Sequence, residues 1–182
     1  KIAPALEELA PEASRTLAAV PFASSATVAL GFRRQDVAHP LDGYGMVMPQ
    51  TEGLRTTALS FVSTKFAHRA PEGHVLLRGF LGGVRDGEIL DLSDEEMVDT
   101  VQRDMKTVLG LSGPPVLTRV FRWPGGTPQL EVGHLERMKA AVKHVEDVPG
   151  LYLTGAGVWS TGIPDSVADA TRVAARAAEE AS

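Results

Sequence analysis

Residues 151–166 read Leu-Tyr-Leu-Thr-Gly-Ala-Gly-Val-Trp-Ser-Thr-Gly-Ile-Pro-Asp-Ser, and they decide what kind of fold the chain can have. Leu151, Tyr152, Leu153 and Thr154 predict a short strand. Gly155, Gly157 and Gly162 mark a loop over residues 155–162, where backbone can approach a ligand too closely for any Cβ. Pro164 suits the first turn of a helix, predicted over residues 163–180, because its missing N–H costs nothing there. Such a helix start favours negative charge. A dinucleotide-binding fingerprint is the first reading to test, and it fails: the spacing is G-x-G-x-x-x-x-G, and no second strand with a ribose-binding acid follows. A tight helix entry without a ligand remains the plain alternative, and spacing does not choose between them.

Working outward, Leu135, Met138, Val142 and Val145 lie at helical spacing and predict one buried face, with Pro149-Gly150 as the stop. Residues 116–121 read as a strand, followed by a loop Arg122-Trp123-Pro124-Gly125-Gly126-Thr127-Pro128-Gln129. The plainest helix starts at Ser93, where Ser93 and Glu96 form a capping box. Met97, Val101, Met105 and Val108 give its apolar stripe and Gly110 its left-handed exit. Further upstream, residues 27–32, 45–48, 56–62 and 74–81 are β-rich and separated by Pro, Gly and Asp clusters. Residues 5–20 predict one or two short helices, interrupted at Pro11 and at Ala13-Ser14 and ended by Pro21. The fold class is α+β: a mixed, largely antiparallel sheet with flanking helices, ending in a strand-loop-helix. The division expected is residues 1–122 as a substrate-binding type of sheet with helices, and residues 123–182 as the C-terminal segment of a cofactor-binding region.

Composition narrows the chemistry. With 182 residues and 43% hydrophobic content the chain has enough apolar side chains for a core, and disorder is not expected. The absence of Cys removes disulfides, a thiolate nucleophile and cysteine metal sites. A net charge of -5 argues against a nucleic-acid partner. His39, His68, His74, His134 and His144 show no paired ligand spacing, so surface or structural histidines are favoured and no metal is assigned. No G-x-S-x-G elbow is present. No run is long and apolar enough for a membrane span, and the start resembles no signal peptide, so a cytoplasmic protein is expected.

Four separated motifs then carry a family resemblance. Gly155-Ala156-Gly157 with Gly162-Ile163-Pro164-Asp165 resembles the C-terminal flavin-contacting motif of the protoporphyrinogen/coproporphyrinogen oxidase family, within the flavin amine oxidase superfamily. Pro128-Gln129 with Val132-Gly133-His134 is similar to that family's Pro-Gln-Tyr and Gly-His segment. Gly43-Tyr44-Gly45-Met46-Val47-Met48-Pro49 resembles its Gly-x-Gly-Phe-Leu-Val-Pro stretch, and Asp91-Leu92-Ser93-Asp94-Glu95-Glu96 its helix entry. The matches occur in order from about Thr27 to Ala174. Two positions depart: Leu130-Glu131 stands where Tyr-Thr is usual, and Ser166 where Cys is frequent. The family's N-terminal glycine-rich fingerprint for the FAD pyrophosphate is absent, so the chain is expected to be the C-terminal portion of a longer protein, inactive alone.

What the resemblance implies is an oxidase whose cofactor is FAD. It removes hydrides from protoporphyrinogen IX or coproporphyrinogen III in three two-electron steps on the way to haem, with dioxygen reoxidising the flavin. Trp123, Gly155, Ala156, Thr161, Gly162, Ile163 and Pro164 would contact the flavin, with the helix start beneath its pyrimidine side. Gly45, Val47 and Phe80 would line the tetrapyrrole side of the cleft, although an alternating strand also buries such residues as ordinary core. Asp165 is assigned to support of the helix start, and no catalytic residue is assigned. Lys65, Arg69 and Arg78 are cations that could face propionates, but scattered cations usually sit solvated, and they stay outside the site. Expected partners are a porphyrinogen, the N-terminal FAD-binding portion of the same protein, a membrane surface bound peripherally, and a second copy in a homodimer. Two other readings stay open: a fragment of a related flavin amine oxidase or desaturase, and a non-catalytic α+β binding module.

Overall fold

The structure is a computed structural model and describes residues 2–181. Its elements in chain order are α1 (Pro11–Ala18), β1 (Phe22–Arg33), β2 (Gly45–Val47), β3 (Ala58–Phe61), α2 (Val62–Lys65), β4 (His74–Gly82), α3 (Asp94–Leu109), β5 (Leu117–Pro128), α4 (His134–Glu146) and α5 (Ile163–Glu180). They form two compact units: Ala23–Gly126, and the stretch through Phe22 together with Thr127 onward. Among the described residues no helix is long and apolar enough to cross a membrane.

The sheet unit holds five strands in the order β2-β3-β4-β1-β5. β1 pairs antiparallel with β4, β4 with β3, and β3 with β2. Alternation puts Val28, Leu30 and Phe32 of β1 on one face with Leu59, Phe61, Val75, Leu77 and Leu81, packed against Met97, Val101, Met105 and Leu109 of α3. Each fully buried side chain of this kind contributes roughly 1.5–3 kcal/mol. The start of α3 is fixed by its capping box: the Glu96 amide donates to Ser93 Oγ at 3.2 Å, and the Ser93 amide donates to Glu96 Oε2 at 2.8 Å. Gly110, in the left-handed conformation, closes its other end. The helix comes so close to β4 that a Cβ at Gly79 would lie 2.4 Å from Val101 Cγ1.

In the second unit α1 packs on α4. Leu6, Ala10, Ala13 and Val20 are buried with Met138, Ala141, Val145, Leu153 and Val158. Ser14 Oγ donates to the Ala3 carbonyl at 2.8 Å, which ties α1 to the turn before it. Residues before Ala23 therefore belong with the C-terminal segment, whereas the expected division put residues 1–122 together; the reason is the apolar stripe of α1, which is buried on α4.

Five local expectations are corrected. Residues 151–154 are not a strand: no neighbouring strand pairs with them, and side chains hold them instead, with Tyr152 Oη donating to Glu180 Oε2 and Thr154 Oγ1 to Asp169 Oδ2, both at 2.6 Å. The predicted loop of residues 122–129 is mostly strand, because β5 runs to Pro128. β5 is an edge strand, the place in a sheet where a proline is tolerated. The buried stripe of α4 is His134, Met138, Ala141 and Val145, while Leu135 is exposed; the stripe starts one residue earlier than the apolar residues suggested. Ala13-Ser14 does not interrupt α1, and the break falls before Pro11, at its first position. The strand expected over residues 56–62 shortens to β3 because the Thr56 amide is taken by the buried carboxylate of Asp104, at 2.7 Å.

Candidate functional site

The face of the sheet turned away from α3 brings together the residues expected to line a macrocycle. Register pairs Val47 with Ala58, Ala58 with Phe80, and Phe80 with Thr27. Directly paired residues point to the same side, so these four form one row across four strands. Trp123 Nε1 donates to Thr27 Oγ1 at 3.4 Å and extends the row to β5. Val47 is 79% exposed and Trp123 51%, so neither is ordinary core; Phe80 is half-buried. A Cβ at Gly31 would lie 3.2 Å from Leu117 Cβ, which puts Leu117 on this face, and alternation adds Phe121. Both are exposed. Gly45 is required for a backbone reason: its φ is 152° and a Cβ would come within 2.2 Å of the Leu59 carbonyl oxygen.

Sequence reasoning missed Leu117, Phe121 and Thr27. The signal existed in the alternation of residues 117, 119, 121 and 123, but Pro124-Gly125-Gly126 made the second half of β5 read as loop. At one end of the same face Gly31, Leu76, Val116 and Leu117 line an open cleft of about 360 Å³, with Arg69 and His74 among its walls.

The other expected cofactor residues lie in the second unit, in the turn before α5. Gly157 has φ of 90°, and its amide donates to the Ser160 carbonyl at 2.8 Å. The Gly162 amide donates to Ser160 Oγ, and Ser160 Oγ donates to Asp165 Oδ2, both at 2.9 Å. Asp165 thus braces the turn that enters the helix. Gly162 itself has φ −74° and ψ 137°, which any residue adopts, so positive φ is not the reason for glycine there. Among the described residues no acceptor reaches the amides of Ile163 and Asp165, and no side chain caps α5. Ile163, 80% exposed, and Val167 turn apolar surface outward beside those amides. A planar group with hydrogen-bond acceptors along one edge and an apolar face fits this surface. Gly155 and Ala156, by contrast, line an open cleft of about 320 Å³ with Leu17, Val20 and Phe22, so they meet a different part of the surface from Thr161, Gly162, Ile163 and Pro164.

His134 is the residue that ties this turn down. It is buried at the first position of α4, and its Nε2 lies 2.9 Å from the Val158 carbonyl. A carbonyl only accepts, so Nε2 carries the proton. Nδ1 is buried and without a partner among the described residues. Its contact reaches the turn that precedes α5.

With this geometry in hand, the comparisons place the chain. It belongs to the family of flavin-containing amine oxidoreductases, whose profile matches residues 2–181. Within that family it is similar to coproporphyrinogen III oxidase of Bacillus subtilis (strain 168), 39% identical over 145 residues, 79% of this chain and 31% of that protein. It is also similar to the chloroplastic protoporphyrinogen oxidase of Nicotiana tabacum, 34% identical over 138 residues, 74% of this chain and 25% of that protein. A solved structure from Exiguobacterium sp. 255-15, provisionally assigned as a protoporphyrinogen oxidase, superposes with a TM-score of 0.80 at 30% identity, covering 98% of this chain and 40% of that one. The chain therefore spans a quarter to a third of the length of these curated relatives.

Proposed function

We propose that this chain is the C-terminal portion of an FAD-dependent oxidase that converts a porphyrinogen, coproporphyrinogen III or protoporphyrinogen IX, to the porphyrin with dioxygen as acceptor. The observation that carries the reading is the row Val47, Ala58, Phe80, Thr27 and Trp123 on the face of the sheet away from α3. It offers a broad, largely apolar wall of the kind that suits a flat macrocycle. The relatives with those activities align with most of this chain and support the same reading.

The chain's own residues have separable tasks in this scheme. The amides of Ile163 and Asp165 at the start of α5 would hold the edge of the flavin that gains negative charge, and, being fixed, they do so without reorganisation. Ile163 and Val167 would exclude water from the flavin's face. Ser160 and Asp165 keep the turn in place, and His134 keeps Val158 in place beneath it. Val47, Phe80 and Trp123 would orient the macrocycle by apolar contact. Bound flavin would supply the two-electron chemistry, so no general base is asked of this segment.

The test is made on the full-length protein that contains this chain. It should purify with bound FAD and form fluorescent porphyrin from coproporphyrinogen III or protoporphyrinogen IX, with oxygen uptake, faster than the spontaneous oxidation. Flavin with turnover of amines and none of porphyrinogens would favour the amine oxidase reading. Absence of flavin and of any rate above the spontaneous one would favour a binding module.

A further inference from the structure

Resting on that reading, we propose that Arg78 is a carboxylate-binding residue of the macrocycle face, placed to pair with a propionate at the rim of the porphyrinogen. Arg78 lies on β4 between Leu76 and Phe80, which alternation puts on the same side, and it pairs across the sheet with Ala29 and Ser60. Ser60 in turn pairs with Gly45. The guanidinium is thus one step from the Val47-to-Trp123 row and its directly paired neighbours carry no negative charge.

The other two cations considered for this role are engaged elsewhere. Lys65 Nζ lies 5.5 Å and the Arg69 guanidinium carbon 5.9 Å from the ring centre of Phe66. Among the described residues the Arg78 side chain makes no ion pair, hydrogen bond or ring contact. It is exposed on the face that carries Phe80 and Trp123, while the ion pairs of the unit, Arg55 with Asp86 and Arg122 with Asp94, involve other residues. Alternation along β5 puts Arg119 on the same face, where its guanidinium donates to the Thr118 carbonyl. Cations on a largely apolar wall fit a ligand whose flat body is apolar and whose rim carries carboxylates. Guanidinium also matches a carboxylate in its two-pronged geometry, which an ammonium does not.

The experiment compares the full-length enzyme with Arg78→Met and Arg78→Lys, using the product coproporphyrin III and its uncharged tetramethyl ester as fluorescent ligands. Arg78→Met should weaken binding of the free acid about tenfold, as expected for loss of one charge-assisted hydrogen-bonded pair at an accessible site. It should leave ester binding, flavin content and the unfolding midpoint unchanged, and Arg78→Lys should recover part of the loss. In turnover, KM for the porphyrinogen should rise while kcat holds. Equal loss for acid and ester, or no loss for either while wild type binds both, overturns the role of Arg78 and leaves the oxidase reading standing. If wild type binds neither ligand, it is the porphyrinogen reading itself that fails.

Discussion

The imidazole Nε2 of His134 lies 2.9 Å from the carbonyl oxygen of Val158, and both residues are buried. His134→Leu removes the donor and leaves that carbonyl unpaired. It should destabilise the protein by about 1–3 kcal/mol in urea unfolding. Because Val158 sits between Gly157 and the turn into α5, the folded fraction should also lose flavin, and His134→Gln, which retains a donor, should recover part of both. A His134→Leu protein with wild-type stability and full flavin would end the idea that this contact positions the turn.

At Gly162 the extended backbone tolerates a side chain, but a Cβ would lie 3.1 Å from Asp165 Oδ2 and 3.4 Å from Ser160 Oγ. Gly162→Ala should therefore fold, with the Asp165 carboxylate yielding by a few tenths of an ångström. Gly162→Val in the full-length protein should lose FAD or oxidase activity while circular dichroism stays near wild type. If Val keeps full flavin and a normal rate, the assignment of this turn to the cofactor is refuted.

Gly79 tests packing alone. A methyl there points at Val101 Cγ1, and Val101 is fully buried on the face of α3 that meets the sheet. Gly79→Ala should cost about 1–3 kcal/mol by overpacking. The pair Gly79→Ala with Val101→Ala should cost less than the sum of the single changes, read by denaturant midpoints.

Tyr152 donates its hydroxyl proton to Glu180 at 2.6 Å, which, with a further push from desolvation, raises its pKa above the ordinary tyrosine value. A group whose folded pKa is raised contributes stability that is fully present below the unfolded pKa, about 10, and is lost as pH rises through the folded value. Phenolate absorbance should show Tyr152 titrating above that reference, and Glu180→Gln should bring it down. The folded protein should lose this contribution only in the alkaline range; an unchanged titration in Glu180→Gln removes the contact as the cause.

How much of this was readable beforehand depended on whether a signal was local. The capping box at Ser93 and Glu96, the exit at Gly110 and the extent of α5 are local chemistry, and they agree with the structure. The end of β5 was not readable, because a proline inside a strand is acceptable only at a sheet edge, and edge position is a property of strand order. The strand expected at residues 151–154 failed for the mirror reason: alternation was present, but a strand needs a partner. For the candidate site, motif resemblance named Val47, Phe80 and Trp123, yet their common row follows only from register, and Phe121 joined it only once β5 was seen to continue. His134 was visible in the Gly133-His134 pair, but nothing in the sequence tells that its partner is a carbonyl 24 residues later.

The two sides of β4 answer to different demands. Val75, Leu77, Gly79 and Leu81 are spoken for by α3 and the neighbouring strands, whereas Leu76, Arg78 and Phe80 are not. Change on the first set is filtered by whether the protein folds at all; change on the second is free to alter what is recognised while the scaffold persists. If this face binds the macrocycle as proposed, a new substrate preference can arise on this strand in single steps at every second residue, without passing through an unstable intermediate sequence.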